Sequence, residues 1–181
     1  MAKNKRPQDR QEKQDEIVAA ARVLFLTDGY EATAMSRLAA AAGIAPNTIY
    51  WYFKDKDEVL AAVLSDFFNA QWQTYLQTDL PQLIDKLLWL LARLQEASVL
   101  ISTVHTRMLA SPAIQTWHDN FHRLLQALAH HELVTLGIAE ADVEASATVL
   151  MFTIEGLLVH QYSTLASRQV CETFIRQLEA R

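Results

Sequence analysis

An all-α fold is predicted, with an N-terminal three-helix helix-turn-helix domain followed by a C-terminal helical domain. Three observations predict it. Apolar residues recur at helical spacing from the start, as in Ile17, Ala21, Leu24 and Phe25 at i, i+4, i+7 and i+8. The alternation that marks strands is absent. Only four glycines (29, 43, 137, 156) and four prolines (7, 46, 81, 112) punctuate 181 residues, too few turn residues for a set of hairpins. With 51% hydrophobic residues, the chain can bury a substantial core.

The first helix is expected over residues 10–28, ended by Asp28-Gly29, where glycine fits the left-handed cap. Tyr30 to Thr33 connects it to a second helix that carries Met35, Leu38, Ala39 and Ala42 inward. Thr33 can hold an orphan N–H at that helix start through its hydroxyl, whereas Ala34 cannot. The stretch Leu38–Phe53 then reads as helix, glycine turn and second short helix. Gly43 supplies the positive φ for a sharp stop, and Pro46 suits a new helix start. Two helices joined so tightly form a helix-turn-helix, whose second helix lies in the DNA major groove. On that second helix Ile49 and Phe53 share the anchoring face, Asn47, Trp51 and Lys54 share the opposite one, and Thr48, Tyr50 and Tyr52 flank them. The plain alternative is a surface helix with incidental aromatics.

Net charge is −5, which by itself argues against a nucleic-acid partner. Its distribution argues the other way. Residues 1–64 hold nine basic and nine acidic side chains, and residues 65–181 hold seven and twelve. Within residues 1–13, Lys3, Lys5, Arg6, Arg10 and Lys13 face only Asp9 and Glu12, a local net charge of +3. A solvated tail over residues 1–8 is the plain alternative.

The set Phe25, Gly29-Tyr30, Thr33, Leu38-Ala39, Ala42-Gly43-Ile44, Thr48-Ile49-Tyr50, Tyr52-Phe53, Lys56 and Leu60 resembles the N-terminal domain of the TetR (tetracycline-repressor-like) transcriptional regulators. The likeness covers residues 11–71, with the helix-turn-helix at 34–53, and leaves residues 72–181 as a helical effector-binding and dimerisation domain. It implies phosphate contacts from Thr48, Tyr50 and Lys56, and base or backbone contacts from Asn47, Trp51 and Tyr52; Thr33 and Arg37 join the expected DNA-binding set. For Arg37 a surface salt bridge is an equal alternative; for Lys56 a solvated side chain paired with Asp55 or Asp57 is the lesser one. Two positions depart from the pattern. Ala34 and Ala45 stand where many relatives carry Ser or Thr, a change that removes a cap typically worth about 0.5–2 kcal/mol and a hydroxyl for phosphate.

The remaining helices are expected at Asp57 to Thr78, Leu83 to Ala97, Val99 to Leu109, Pro112 to Leu136, Glu140 to Ser163 and Arg168 to Ala180. Ser111-Pro112 reads as an N-cap followed by proline at the first helical position. The Pro112 helix should turn Ile114, Trp117, Phe121, Leu124, Leu125 and Leu128 inward. In the Glu140 helix Val143, Ala147, Leu150, Ile154, Leu157 and Gln161 form one stripe, while Val149, Met151, Phe152 and Val159 make other faces apolar too. A helix apolar on more than one side needs two partners, and the resemblance makes the second one another subunit, through helices near 140–163 and 168–181.

No catalytic constellation, glycine-rich phosphate loop or cofactor motif is present, so no enzyme, cofactor or metal is expected. His118 and His122 lie four apart and share a helix face, but only Asp119 accompanies them, and two surface histidines is the plainer reading. His105, Met108, Trp117, Phe121, Phe152 and Tyr162 are candidates for an effector pocket, with Glu155 as its polar member, although core is the plainer reading for each of the six taken alone. For Glu155 in its apolar stretch, Arg93 or Arg107 is the ordinary partner. The single Cys171 allows no internal disulfide, no apolar run approaches the ~20 residues of a bilayer span, and no signal peptide is seen, so a cytoplasmic, DNA-associated location is expected. Together these readings anticipate a homodimeric regulator of a palindromic operator, most often a repressor in this family, released by a small-molecule effector. Two rivals stand beside it: a helical enzyme or ligand carrier whose first domain only resembles a DNA reader, and a metal-responsive sensor using His118 and His122.

Overall fold

The computed structural model describes residues 5–160 and 162–179. Lys3 and the stripe position Gln161 lie outside the described residues, as do the side chains of Lys5 and Arg6. Among the described residues there are α-helices, one 3₁₀ turn and no strand: α1 (Lys5–Thr27), α2 (Met35–Ala41), the 3₁₀ turn Thr48–Trp51, α3 (Lys56–Gln77), α4 (Leu83–Glu96), α5 (Ser98–Arg107), α6 (Pro112–Thr135), α7 (Glu140–Val159) and α8 (Thr164–Glu179). No single described helix is long and apolar enough to cross a membrane.

The chain forms two compact units, and they do not follow sequence order. The first takes the chain through Tyr75 together with Val99–Trp117; the second takes Leu76–Ser98 and the chain from His118 on. This differs from the single division expected near residue 71. The reason lies in α5, whose Leu100 and Val104 are buried in the same cluster as Ile17, Phe25, Leu38, Ile49 and Leu60. Burial of that apolar face stabilises the first unit more than a solvated α5 could.

Within the first unit the expected stripe of α1 is observed: Ile17, Ala21 and Phe25 are fully buried, and Leu24 packs beside them. Gly29 closes α1 with φ +86°. The first unit is also held by a polar junction. Asp57, at the start of α3, is enclosed, and its two carboxylate oxygens accept from Arg107 Nε at 2.5 Å and Arg107 Nη2 at 2.8 Å. The Tyr30 hydroxyl donates to the same Oδ1. Paired, hydrogen-bonded geometry is what a carboxylate this enclosed requires.

The second unit is a helical layer in which α4, α7 and α8 pack on one another. Leu87, Leu91 and Leu94 of α4, Val143, Ala147, Leu150, Ile154 and Leu157 of α7, and Cys171, Phe174 and Leu178 of α8 are buried. The α7 series is the one its spacing predicts. For α6 the expected inward set needs correction: Leu125, Ala129 and Leu133 are buried, whereas Leu124 is exposed. Leu125, Ala129 and Leu133 keep the strict i, i+4 row, and Leu124 sits one residue off it. Lys86 ties α4 to Glu132 of α6 through both carboxylate oxygens, at 2.8 and 2.7 Å.

The Asp57–Arg107 junction gives a measurable stability term. Arg107→Ala leaves the carboxylate enclosed without its cation and should cost on the order of 2–4 kcal/mol in urea unfolding, somewhat short of a fully dry pair because the guanidinium keeps contact with water. Arg107 holds the Asp57 carboxyl below the usual carboxylate range. A depressed carboxyl stabilises fully above its unfolded value of about 3.9, and the stabilisation drains away as pH falls through the lower folded value. The stability gap between wild type and Asp57→Asn should therefore be widest near neutral pH and should shrink in unfolding titrations below about pH 4.

Candidate nucleic-acid interface

The interface is built on the connection between α2 and α3. After Ala41 the backbone closes with a C-terminal cap in which the N–H of Gly43 donates to Ala40 O at 3.1 Å and that of Ile44 to Ala39 O at 3.0 Å. Gly43 has φ +68°, the left-handed value this cap needs. At the other end, Asp55 Oδ1 accepts from Glu58 N–H at 2.9 Å while Glu58 Oε2 accepts from Lys54 N–H at 2.7 Å, a reciprocal pair that opens α3. The chain between these two fixed ends has room for little more than one turn.

That turn is shorter than the helix the sequence predicts. Thr48–Trp51 is a single 3₁₀ turn, with Tyr52 N–H bonded to Ile49 O at 3.0 Å. Pro46 lacks a donor, and the anchors Ile49 and Phe53 are both buried, so the segment is pulled tight at each end. The anchoring face is as its spacing requires. On the outer side Trp51 is 75% exposed and Tyr50 54% exposed, with Asn47 and Lys54 exposed and Thr48 and Tyr52 half-buried at the flanks. Asn47 stands at the start of the turn without using its side chain as a cap, which leaves amide donor and acceptor outward.

Three of the expected contact residues have partners within the chain. Thr33 is fully buried, and its hydroxyl donates to Gly29 O at 2.8 Å, closing the α1–α2 connection rather than offering itself to a partner. Thr33 does not cap α2 either; the cap position is Ala34, which makes no side-chain bond. Lys56 turns inward. Its Nζ donates to Tyr30 O at 2.7 Å and Glu31 O at 3.4 Å and lies 4.1 Å from the centre of the Tyr30 ring. Burial lowers the Lys56 pKa, with Glu31 opposing that shift, and burial raises that of Tyr30, with Asp57 reinforcing it. Lys56 therefore pairs with neither Asp55 nor Asp57, and carbonyls of the α1–α2 connection take its donors. Arg37 makes the surface salt bridge that was its alternative, to Asp28.

One residue of this surface was not anticipated. Arg10 Nη2 donates to Trp51 O at 3.1 Å across 41 residues of sequence. A cation on the carbonyl end of the turn is electrostatically favourable, and it ties the basic start of α1 to the turn Thr48–Trp51. The sequence signal was only the basic run, which does not say where the run lands.

The seven side chains considered for an effector pocket do not gather in one unit. Met108 and Trp117 pack on the core of the first unit, which also holds the exposed His105. In the second unit Phe152 and Tyr162 are exposed, and Phe121 and Glu155 are half-buried. Glu155 meets neither Arg93 nor Arg107. Arg93 pairs with Glu96, Arg107 with Asp57, and Glu155 faces His122 across 3.6 Å.

Residues 17–63 match the family of bacterial regulatory proteins described as the tetR family. Over 69 residues the chain is 36% identical to the HTH-type transcriptional regulator AcrR of Shigella flexneri, a stretch that is 38% of this chain and 28% of that protein. Over 65 residues it is 32% identical to the HTH-type transcriptional repressor KstR2 of Mycolicibacterium smegmatis, covering 36% of this chain and 32% of that protein. The likeness thus spans about a third of the length of the curated relatives. The crystal structure of a transcriptional regulator from Rhodococcus sp. Rha1 superposes with a TM-score of 0.73 over 91% of this chain and 95% of that one, at 16% identity, which extends the likeness of fold beyond the matched stretch. The buried anchors Ile17, Phe25, Leu38, Ile49 and Leu60, the Gly43 cap and the exposed turn Thr48–Trp51 all fall inside the stretch that matches the tetR family of bacterial regulatory proteins.

Proposed function

We propose that this chain is a sequence-specific DNA-binding transcriptional regulator rather than an enzyme, a repressor released from its operator by a small molecule held among the C-terminal helices. The observation that carries the reading is the turn Thr48–Trp51, which buries Ile49 completely while leaving Tyr50 and Trp51 in solvent. Exposed aromatics beside an uncommitted amide are costly for a solvated turn and well suited to a groove. Asn47 and Trp51 would read base edges, Thr48, Tyr50, Tyr52 and Lys54 would meet backbone, and Arg10 would hold the turn. Lys56 and Thr33 would act from inside, by fixing the frame, and Arg37 only after leaving Asp28.

We assign the working form to a homodimer on a palindromic site, in the DNA-containing cytoplasm. Val149, Phe152 and Val159 of α7 and Leu165 of α8 are exposed in the single chain, opposite the buried Val143–Leu157 series. A second copy of the same face would cover them. The exposed Phe152 and Tyr162 then suit this seam better than a pocket, and Phe121 and Glu155 are the second unit's remaining candidates for effector contact.

Fluorescence anisotropy on promoter fragments tests the DNA reading. Salt-sensitive binding to particular fragments is expected, and uniform weak binding to all of them would refute it. Lys54→Ala should weaken every fragment alike and reduce the salt slope by about 1, whereas Asn47→Ala and Trp51→Ala should change which fragments are preferred. Lys56→Ala should act mainly on thermal stability. For the dimer, light scattering should give twice the chain mass for the wild type and the single-chain mass for Phe152→Asp.

A further inference from the structure

The first helix overruns the core it helps to build. Its buried stripe begins at Ile17, yet α1 starts at Lys5. Residues 5–16 make about 18 Å of helix at 1.5 Å per residue. From Asp9 to Glu16 every side chain is exposed or half-buried.

Along this overhang one face of the helix changes chemistry. Taking Arg6 as zero and 100° per residue, the core positions Ile17, Ala21 and Leu24 fall between about 0° and 60°. Arg10 and Lys13 fall at about 40° and −20°, on that same face. The acidic residues Asp9, Glu12, Asp15 and Glu16 fall between about 180° and 300°. The face that is apolar over the core is therefore basic ahead of it. Solubility alone would be served by mixing both signs around the helix, without this sorting.

Arg10 shows where the basic face lands. Its Nη2 donates to Trp51 O at 3.1 Å, beside the exposed Trp51 side chain. Both residues belong to the first unit. That bond uses one of five guanidinium donors. The residues three and four away along the helix, Arg6, Pro7, Lys13 and Gln14, include no acid that would neutralise Arg10. Lys13, by contrast, is paired with Glu16. Arg6 stands one turn before Arg10, about 6 Å along the axis, close to the rise of two nucleotides on one strand at about 3.4 Å each.

We infer that Arg6 and Arg10 of the α1 overhang make a second contact with duplex DNA, on the phosphate backbone next to the segment that the turn Thr48–Trp51 enters. Charge and position name the occupant. The basic face continues to the side of an exposed aromatic turn, and a guanidinium fork matches phosphate oxygens. Such a contact adds affinity and fixes register without choosing bases. The inference rests on the DNA-binding reading and extends its footprint to a part of the chain that the turn does not include.

The test is fluorescence anisotropy of the full chain on its preferred promoter fragment and on others, over a range of salt concentrations. Arg6→Ala and Arg10→Ala should each reduce the salt slope by about 1 and weaken every fragment by a similar factor, and the double variant should reduce the slope by about 2. Arg10→Lys, which keeps the charge, should keep the slope. Arg123→Ala, which removes one exposed cation from α6 in the second unit, should leave the slope unchanged. Phosphate-ethylation interference should show positions at the edge of the footprint that hinder the wild type and no longer matter to the double variant. If the wild type shows no selective, salt-dependent binding, the DNA-binding reading falls and takes this inference with it. If the wild type binds in that way and the α1 variants keep its slope and its interference pattern, only this inference is overturned. It is overturned equally if Arg123→Ala lowers the slope as much as Arg6→Ala does. A changed fragment preference for Arg10→Ala at unaltered slope would also overturn it, because Arg10 would then act only by holding Trp51. Circular dichroism should show the variants as helical as the wild type, since alanine favours the helix at solvent positions.

Discussion

A carboxylate as enclosed as that of Asp57 is tolerable only while its charge is answered from every side. Arg107 answers it with two N–H donors and Tyr30 with a hydroxyl, and Ser111 adds a further hydrogen bond. Each partner comes from a different part of the chain: Tyr30 from the α1–α2 connection, Arg107 from the end of α5, Ser111 from the cap of α6. The same Tyr30 carries Lys56 on its carbonyl and against its ring. The junction therefore fixes the connection before α2, the start of α3 and the end of α5 together. The turn Thr48–Trp51 hangs between α2 and α3, so its outward face is set by this buried charge as much as by Ile49 and Phe53.

Two kinds of basic residue follow from that arrangement. Those spent internally, Arg107 and Lys56, hold the frame and are in part desolvated by it. Those near the turn, Arg10 and Lys54, remain at the surface. A cation used to stabilise a connection cannot also meet a phosphate without giving up the carbonyls it holds. Composition and charge runs treat the two kinds alike, and only the folded chain separates them.

Much of this was legible in the residues. Periodicity placed the α-helices to within about five positions, because a repeated i, i+4 row needs no knowledge of its partner, but not the turn Thr48–Trp51, which was expected as a helix. Gly29, Gly43 and Gly137 all have positive φ, as their places after apolar stripes required. The opposition of Ile49 and Phe53 to Trp51 followed from 100° per residue. What escaped was of another kind. Asp57 and Arg107 are 50 residues apart, and nothing local says that either seeks the other. Lys56 turned inward because the Tyr30 and Glu31 carbonyls were within reach, a fact of tertiary geometry. Leu124 and Leu125 compete for one face with identical chemistry, and the Ala129–Leu133 row decided between them. Glu155 had two plausible arginine partners by type, and both proved engaged.

The interleaving of the two units bears on how such a chain can be remade. Its first unit is closed by α5 and the first residues of α6, which are supplied after a segment that belongs to the second unit. A single cut after α3 would leave Leu60 and Phe25 without Leu100 and Val104, and Asp57 without its guanidinium. The head is thus not a cassette. Replacing this chain up to the end of α3 by one crossover would pair a foreign α3 with its own α5, so an engineered chimera needs two junctions or a repacked cluster around Leu100 and Val104. The outward-facing turn thus depends on a helix that the chain supplies only after it has begun the second unit.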